Sequence, residues 1–275
     1  MYRAVFIDMD GTLLKADHSI SEETRATIHR LRDNGILIVL VSARPYHGIM
    51  ATHAWLGIGQ YPVASLNGSY ITSLEELLFS ATIPAENLPR LQQMASTYNT
   101  SLLYYSGMQW FAEAESWATD KEAKITDVPV RTGSFAHLQE IWEKEEVGMN
   151  KLMAVGAPDD IQKLQADIRL SIDTVAAYTS KPTYLEIMPL NASKALAIKY
   201  LCEMYNIPLS ESIALGDNYN DVEMLKVAGK GIAMGNAPDD IKAIADAVTD
   251  TNQNDGVRKA LEENFPQYFS KNGSI

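Results

Sequence analysis

Asp8 and Asp10 stand two residues apart, directly after the apolar run Ala4-Val5-Phe6-Ile7. Two carboxylates that close repel one another, and a hard divalent cation with oxygen ligands relieves the repulsion. Asp217, within Gly216-Asp217-Asn218-Tyr219-Asn220-Asp221, can supply a third carboxylate. Magnesium (Mg2+) is the expected cation, because it takes a few carboxylates, waters and a phosphate oxygen in preference to an all-protein cage. Such a site suits phosphoryl transfer, which needs an in-line nucleophile, a proton donor for the leaving group and positive charge around the phosphoryl group. Asp8 is the expected nucleophile, forming an aspartyl-phosphate. Asp10 is the expected acid, protonating the leaving alcohol and later deprotonating the attacking water. The Ser42 hydroxyl and the Ala43 amide can donate hydrogen bonds to phosphate oxygens, and Lys194 adds a point charge near a helix N-terminus. The backbone of Met9, between the two acids, is counted with these phosphate-binding groups.

The elements that must position these residues can be read from hydrophobic patterning. Ala4–Ile7 is short and continuously apolar, as expected of a strand buried on both faces of a parallel sheet. Ser19 or Ser21 can cap a helix running to about Asp33, which Asn34-Gly35 stops, and Ile36 to Val41 reads as the next strand. The alternation predicts a helix from about Pro45 to Leu56, a strand near Pro62 to Ser65 and a loop at Asn67-Gly68. From about Ser80 to Pro189 the pattern becomes a mixture of helices and strands richer in Tyr and Trp, with strands at Ser101 to Tyr105, Lys151 to Val155 and Tyr184 to Ile187. The first pattern then resumes, with helices at Ser193 to Tyr205 and Asn220 to Ala228 and strands at Ser212 to Leu215 and Gly231 to Met234. A doubly wound α/β core, residues 1–80 and 190–275, with an inserted domain over 81–189, follows from this order. In such a sheet the carboxyl ends of the strands share one edge, so Asp8, Ser42, Asn67 and Asp217 are expected to converge there.

Asp8-Met9-Asp10-Gly11-Thr12-Leu13, Ser42, Lys194 and Gly216-Asp217-Asn218-Tyr219-Asn220-Asp221 match, in order, the four motifs of the haloacid dehalogenase (HAD) superfamily. Within it the chain resembles the Cof-type sugar-phosphate phosphatases, with added support from Val41-Ser42-Ala43-Arg44-Pro45, Leu66-Asn67-Gly68 and Ala233-Met234-Gly235-Asn236-Ala237. The likeness extends through Gly256-Val257, and the inserted segment matches in position and size more than in residues. It implies a Rossmann-like core with an α+β cap that selects substrates. It also implies magnesium held by Asp8, Asp217 and the Asp10 carbonyl, with Asp221 beside the metal directly or at one remove. Asn67, Gly68 and Asn220 are implied to border the phosphate or substrate. Two departures bear on substrate preference: Ser42-Ala43-Arg44 stands where Thr-Gly-Arg is common, and Ala195 follows Lys194 where Gly is common.

The formal net charge of -12 argues against nucleic acid as a partner, since phosphate backbones are held by basic surfaces. A small phosphorylated metabolite remains compatible, provided a metal and a lysine supply local positive charge. Cys202, the one cysteine, falls in a helical pattern beside Leu201 and reads as a buried inert thiol. The five His show no zinc-ligand spacing, and Arg44 is left outside the catalytic set. Trp110 and Trp117 can line a ligand pocket in the inserted domain, with its core the favoured place for them. Ala-Pro-Asp-Asp-Ile occurs at 157–161 and again at 237–241 and predicts two helix starts. No run approaches a signal peptide or a membrane span, so a cytoplasmic location is expected, and no oligomeric state can be read. The alternatives to a phosphatase are a phosphomutase of the same superfamily, which would use the same two aspartates, and a non-catalytic metabolite-binding protein. Dehalogenation is disfavoured because a halide leaving group gives Asp10 nothing to protonate.

Overall fold

The computed structural model describes residues 1–74, 76–126 and 128–269. These form two compact units. The first contains Met1–Ala43, Ile49–Leu78 and the chain from Ser193 onward; the second contains Arg44–Gly48 and Phe79–Ala192.

The first unit opens with β1 (Ala4–Ile7), α1 (Glu22–Asp33), β2 (Leu37–Val41), α2 (His47–Trp55) and β3 (Val63–Ser65). Every residue of these three strands is buried, which is why they read as unbroken apolar runs rather than alternating ones. Ser21 caps α1, its hydroxyl accepting the Thr24 amide proton, and the helix ends at Asn34 with Gly35 left-handed at φ 77°. Two further strands follow, β4 (Tyr70–Ser73) and β5 (Glu76–Ser80), with β4 antiparallel to β3.

The second unit supplies α3 (Leu88–Thr97), β6 (Ser101–Ser106), β7 (Gln109–Ala112), α4 (Trp117–Thr126), β8 (Arg131–Thr132), α5 (Phe135–Lys144), β9 (Lys151–Val155), α6 (Pro158–Ser171), β10 (Val175–Lys181) and β11 (Tyr184–Pro189). Its six strands lie in the order β10-β11-β9-β6-β7-β8, antiparallel except for β7 and β8. One face of this sheet is buried by α3, α5 and α6: Leu91, Trp142 and Leu164 meet Tyr104, Phe111, Leu152 and Leu185 in one cluster.

The chain returns to the first unit through α7 (Lys194–Met204), β12 (Ser212–Gly216), α8 (Val222–Val227), β13 (Lys230–Ala233), α9 (Asp239–Ile244), β14 (Ala247–Val248), α10 (Gly256–Asn264) and α11 (Pro266–Phe269). The complete sheet runs β14-β13-β12-β1-β2-β3-β4-β5. β1 is parallel to both β2 and β12, so the strand order reverses direction there, and this is where a doubly wound sheet opens a crevice.

Three details depart from the sequence reading. The expected helix from Asn220 begins instead as a tight 3-10 turn, Tyr219–Asp221, before α8, because Asp221 folds back on the chain ahead of it. β4 and β5 extend the sheet beyond β3, which patterning did not show. Trp110 is buried in the second unit, but Trp117 is 61% exposed. Cys202 is buried, and burial pushes its thiol up to about 11.

Candidate active site

The carboxyl end of β1 delivers Asp8. Its amide donates to the Leu215 carbonyl at 3.0 Å, continuing the β1–β12 ladder by one residue, so Asp8 and Asp217 leave neighbouring strands on the same edge. The chain then turns at once: Met9 accepts from the Thr12 and Leu14 amides through its carbonyl, at 3.3 and 2.8 Å. Gly11 sits at φ +86°, and a Cβ there would strike the Asp217 carboxylate, so the turn needs glycine for both conformation and space. Asp8 is 5% exposed, whereas Asp10 is exposed, and the carboxylates that gather with Asp8 are those of Asp217 and Asp221.

Lys194 is the first residue of α7, whose N-cap Ser193 accepts the Leu196 amide proton. Its side chain is 1% exposed and its Nζ lies 2.5 Å from Asp8 Oδ1 and 2.6 Å from Asp221 Oδ1. The other oxygen of Asp221, Oδ2, accepts the amide protons of Asp217 at 2.9 Å and Asn218 at 3.0 Å. Asp221 therefore holds the Asp217 loop and Lys194 together while fully buried itself. Asp217 also accepts from the Thr12 hydroxyl at 2.9 Å.

Ser42 follows β2, and Asn67 and Gly68 follow β3; all three are buried. Their loops are joined, because the Asn67 amide donates to the Ser42 carbonyl at 2.8 Å. Leu66, Asn67 and Gly68 have φ of 50°, 55° and 85°, three left-handed residues in succession. A buried leucine in that conformation stores about 1–2 kcal/mol, a strain that persists where surrounding contacts over-determine the backbone. Gly68 fits because a Cβ would meet the Ser193 carbonyl oxygen at 2.6 Å. Asn220 Nδ2 donates to Asn67 Oδ1 at 3.2 Å, so the loops after β3 and β12 also meet. Ala43 ends the stretch of the first unit that Ser42 belongs to and is half-buried.

Two participants lay within quoted motifs but outside the expected site set. Thr12 anchors Asp217, and Asn236, just past β13, donates to the Gly11 carbonyl at 2.8 Å and to Asp217 Oδ2 at 3.5 Å. The signal for Asn236 was positional: it follows a strand end on the same edge.

One oxygen from each of Asp8, Asp217 and Asp221 lies within 4.8 Å of the others. Burial, and then the charges of Asp221 and Asp217 against the opposing pull of Lys194, raise Asp8 to about 8. Burial and the Asp221 charge raise Asp217 to about 6. Burial would lower the Lys194 ammonium, but Asp221 and Asp8 more than reverse this and keep it charged. Three carboxylates around one ammonium leave excess negative charge among hard oxygen donors. That donor set fits a divalent cation.

With that geometry, the chain matches the haloacid dehalogenase-like hydrolases over residues 5–261. The chain belongs to this family. A haloacid dehalogenase-like hydrolase of solved structure from Bacteroides thetaiotaomicron aligns at a TM-score of 0.85 with 33% identity, covering 96% of this chain and 100% of that one. Phosphatase YwpJ of Bacillus subtilis is 31% identical over 283 residues, 94% of this chain and 99% of the relative. The 5-amino-6-(5-phospho-D-ribitylamino)uracil phosphatase YitU of the same organism is 26% identical over 271 residues, 95% of this chain and 97% of the relative.

Proposed function

We propose that this chain is a magnesium-dependent phosphatase that hydrolyses small phosphate monoesters, sugar phosphates or related metabolites, through an aspartyl-phosphate on Asp8. It is a phosphoric monoester hydrolase of its family, whose relatives carry phosphatase names. YitU is named for a phosphorylated ribitylamino-uracil, which supports a small metabolite as the substrate. The observation that carries the reading is the gathering of Asp8, Asp217 and Asp221 oxygens within 4.8 Å of one another, with the buried Lys194 ammonium bonded to Asp8 and Asp221.

An Asp8 oxygen attacks phosphorus in line, the bond from phosphorus to the leaving oxygen breaks, and Asp10 gives that oxygen its proton. Water then attacks phosphorus, Asp10 takes its proton, and the bond to Asp8 breaks to release inorganic phosphate. The exposure of Asp10 suits a group that must exchange protons with alcohol and water. Lys194 opposes the upward shift that burial gives Asp8, favouring its carboxylate form, and balances charge through both steps. Ser42, the Ala43 amide and the backbone of Met9 orient the phosphoryl group, while Asn67, Gly68 and Asn220 border it. Asp8, Asp217 and the Asp10 carbonyl, with Asp221 beside them, would hold magnesium, which would supply Lewis-acid neutralisation of the phosphate oxygens. Substrate selection is assigned to the second unit and the reaction to the cytoplasm.

The test is phosphate release across a panel of sugar phosphates, nucleotides and flavin mononucleotide, with magnesium and with chelator, for the wild type and Asp8→Asn. Release that stops with chelator and with Asp8→Asn supports the reading. Wild-type release by Asp8→Asn would overturn the covalent mechanism.

A further inference from the structure

Trp117 stands at the start of α4 with 61% of its surface exposed, on a helix that the sequence suggested would bury it. The first turn beneath it is fixed by reciprocal bonds: the Ser116 amide donates to Thr119 Oγ1 at 2.7 Å, and the Thr119 amide to Ser116 Oγ at 3.3 Å. Its ring lies nearly parallel to Tyr184, 19° between planes and 6.4 Å between centroids. Lys121, one turn further along α4, places Nζ 5.3 Å from the centre of the Tyr184 ring and 3.2 Å from its hydroxyl oxygen. Lys181, at the end of β10, approaches the same ring at 5.5 Å. Both lysines are exposed, and neither has a carboxylate within ion-pair distance among the described residues.

The arrangement is specific in its chemistry. A large aromatic face held open to water gains free energy when a second flat ring covers it. Two ammonium groups gathered on one tyrosine raise the local potential, and an anion relieves it. This happens on a chain whose net charge is -12, so the positive patch runs against the overall field. One ligand type answers both demands: a flat ring carrying negative charge. We infer that Trp117, Tyr184, Lys121 and Lys181 form a binding surface on the second unit for a planar heteroaromatic compound bearing phosphate. The surface is defined by these four residues alone and does not depend on the role given to Asp8.

The experiment titrates flavin mononucleotide into the full chain in the presence of chelator, following flavin fluorescence. Trp117→Ala should weaken binding about tenfold, the scale of one stacking partner, and Trp117→Phe should retain most of it. Replacing both lysines, Lys121→Gln with Lys181→Gln, should weaken binding and flatten its dependence on salt. Glucose 6-phosphate, which has no flat ring, should be hydrolysed by all these variants at the wild-type rate. Wild-type flavin affinity in Trp117→Ala would overturn the proposal, as would an equal loss toward glucose 6-phosphate. Should the wild type release phosphate from no ester at all, the phosphatase reading fails while the flavin titration still decides this one. Hydrolysis of bound flavin mononucleotide with a KM moved by Trp117→Ala makes the surface a substrate contact. Binding without hydrolysis makes it an effector site.

Discussion

Lys194 and Asp8, 186 residues apart in sequence, meet with Nζ 2.5 Å from Oδ1 in a place where neither is more than 5% exposed. Replacing the lysine by methionine keeps the volume and removes the charge. The carboxylates of Asp8 and Asp221 then face one another unbalanced, and breaking a buried pair in this way costs about 3–5 kcal/mol. Lys194→Met is therefore expected to lower the urea midpoint markedly and to reduce phosphate release by about a hundredfold or more. Lys194→Arg should not rescue it, since a planar fork does not fit where a compact ammonium touches two oxygens.

The pH response of the metal-free protein follows from the direction of the carboxylate shifts. Asp8 is raised to about 8 and Asp217 to about 6, so between the ordinary carboxylate range and those values the folded chain holds protons that the unfolded chain has lost. Stability from these groups is greatest at low pH and declines as pH rises through 6 and on through 8. In chelator, the urea midpoint should fall between pH 6 and pH 8.5. Added magnesium should abolish most of that fall, bind more tightly as pH rises and release protons measurable by calorimetry in buffers of different ionisation enthalpy. A flat midpoint across this range in chelator would contradict the burial of Asp8.

Asp221 uses one oxygen for Lys194 and the other for the amides of Asp217 and Asn218. Asp221→Ala unfastens the loop that presents Asp217, so magnesium affinity should fall about 10–100-fold, as seen when a partner that orients a metal ligand is lost. Asp221→Asn turns a donor toward at least one of these donors and should recover only part of the affinity. Isothermal titration with magnesium distinguishes the three proteins.

Gly11→Ala introduces a methyl group where Asp217 stands and forces an L-residue into φ +86°. The expected result is a loss of stability of about 1–3 kcal/mol together with nearly complete loss of turnover, read by denaturant unfolding and phosphate release. Gly35→Ala, also left-handed but with open space around it, should cost stability and spare turnover.

Much of the first unit was legible because buried parallel strands write themselves as unbroken apolar runs: Ala4–Ile7, Leu37–Val41 and Ser212–Gly216 needed no other signal. The convergence of Asp8 and Asp217 followed from their places after adjacent strands. What stayed hidden lay where the backbone leaves a regular period. The strand ends at Ile7 and the chain turns at Met9, and no alternation rule reaches past that point. β5, Glu-Leu-Leu-Phe-Ser, neither alternates nor runs fully apolar, since it is a partly exposed strand at the sheet edge. Trp117 is exposed where a core position was favoured, because composition places tryptophan in cores, whereas exposure is decided by the helix face on which it falls.

The chain order of the site has a temporal side. Thr12 and its partner Asp217 are separated by 205 residues, and β1 finds its second neighbour only when β12 arrives. At 5–20 residues per second, a ribosome takes about 10–40 s to pass from one to the other. Through most of that interval the emerging protein has its first acidic turn but not Lys194, and to its end neither Asp217 nor Asp221, while one flank of β1 is bare. The inserted unit, by contrast, emerges entire and carries its own apolar cluster within that window. A nascent chain is thus unable to assemble the carboxylate cluster until the loop after β12 has been made, and the site is among the last parts of the first unit to form.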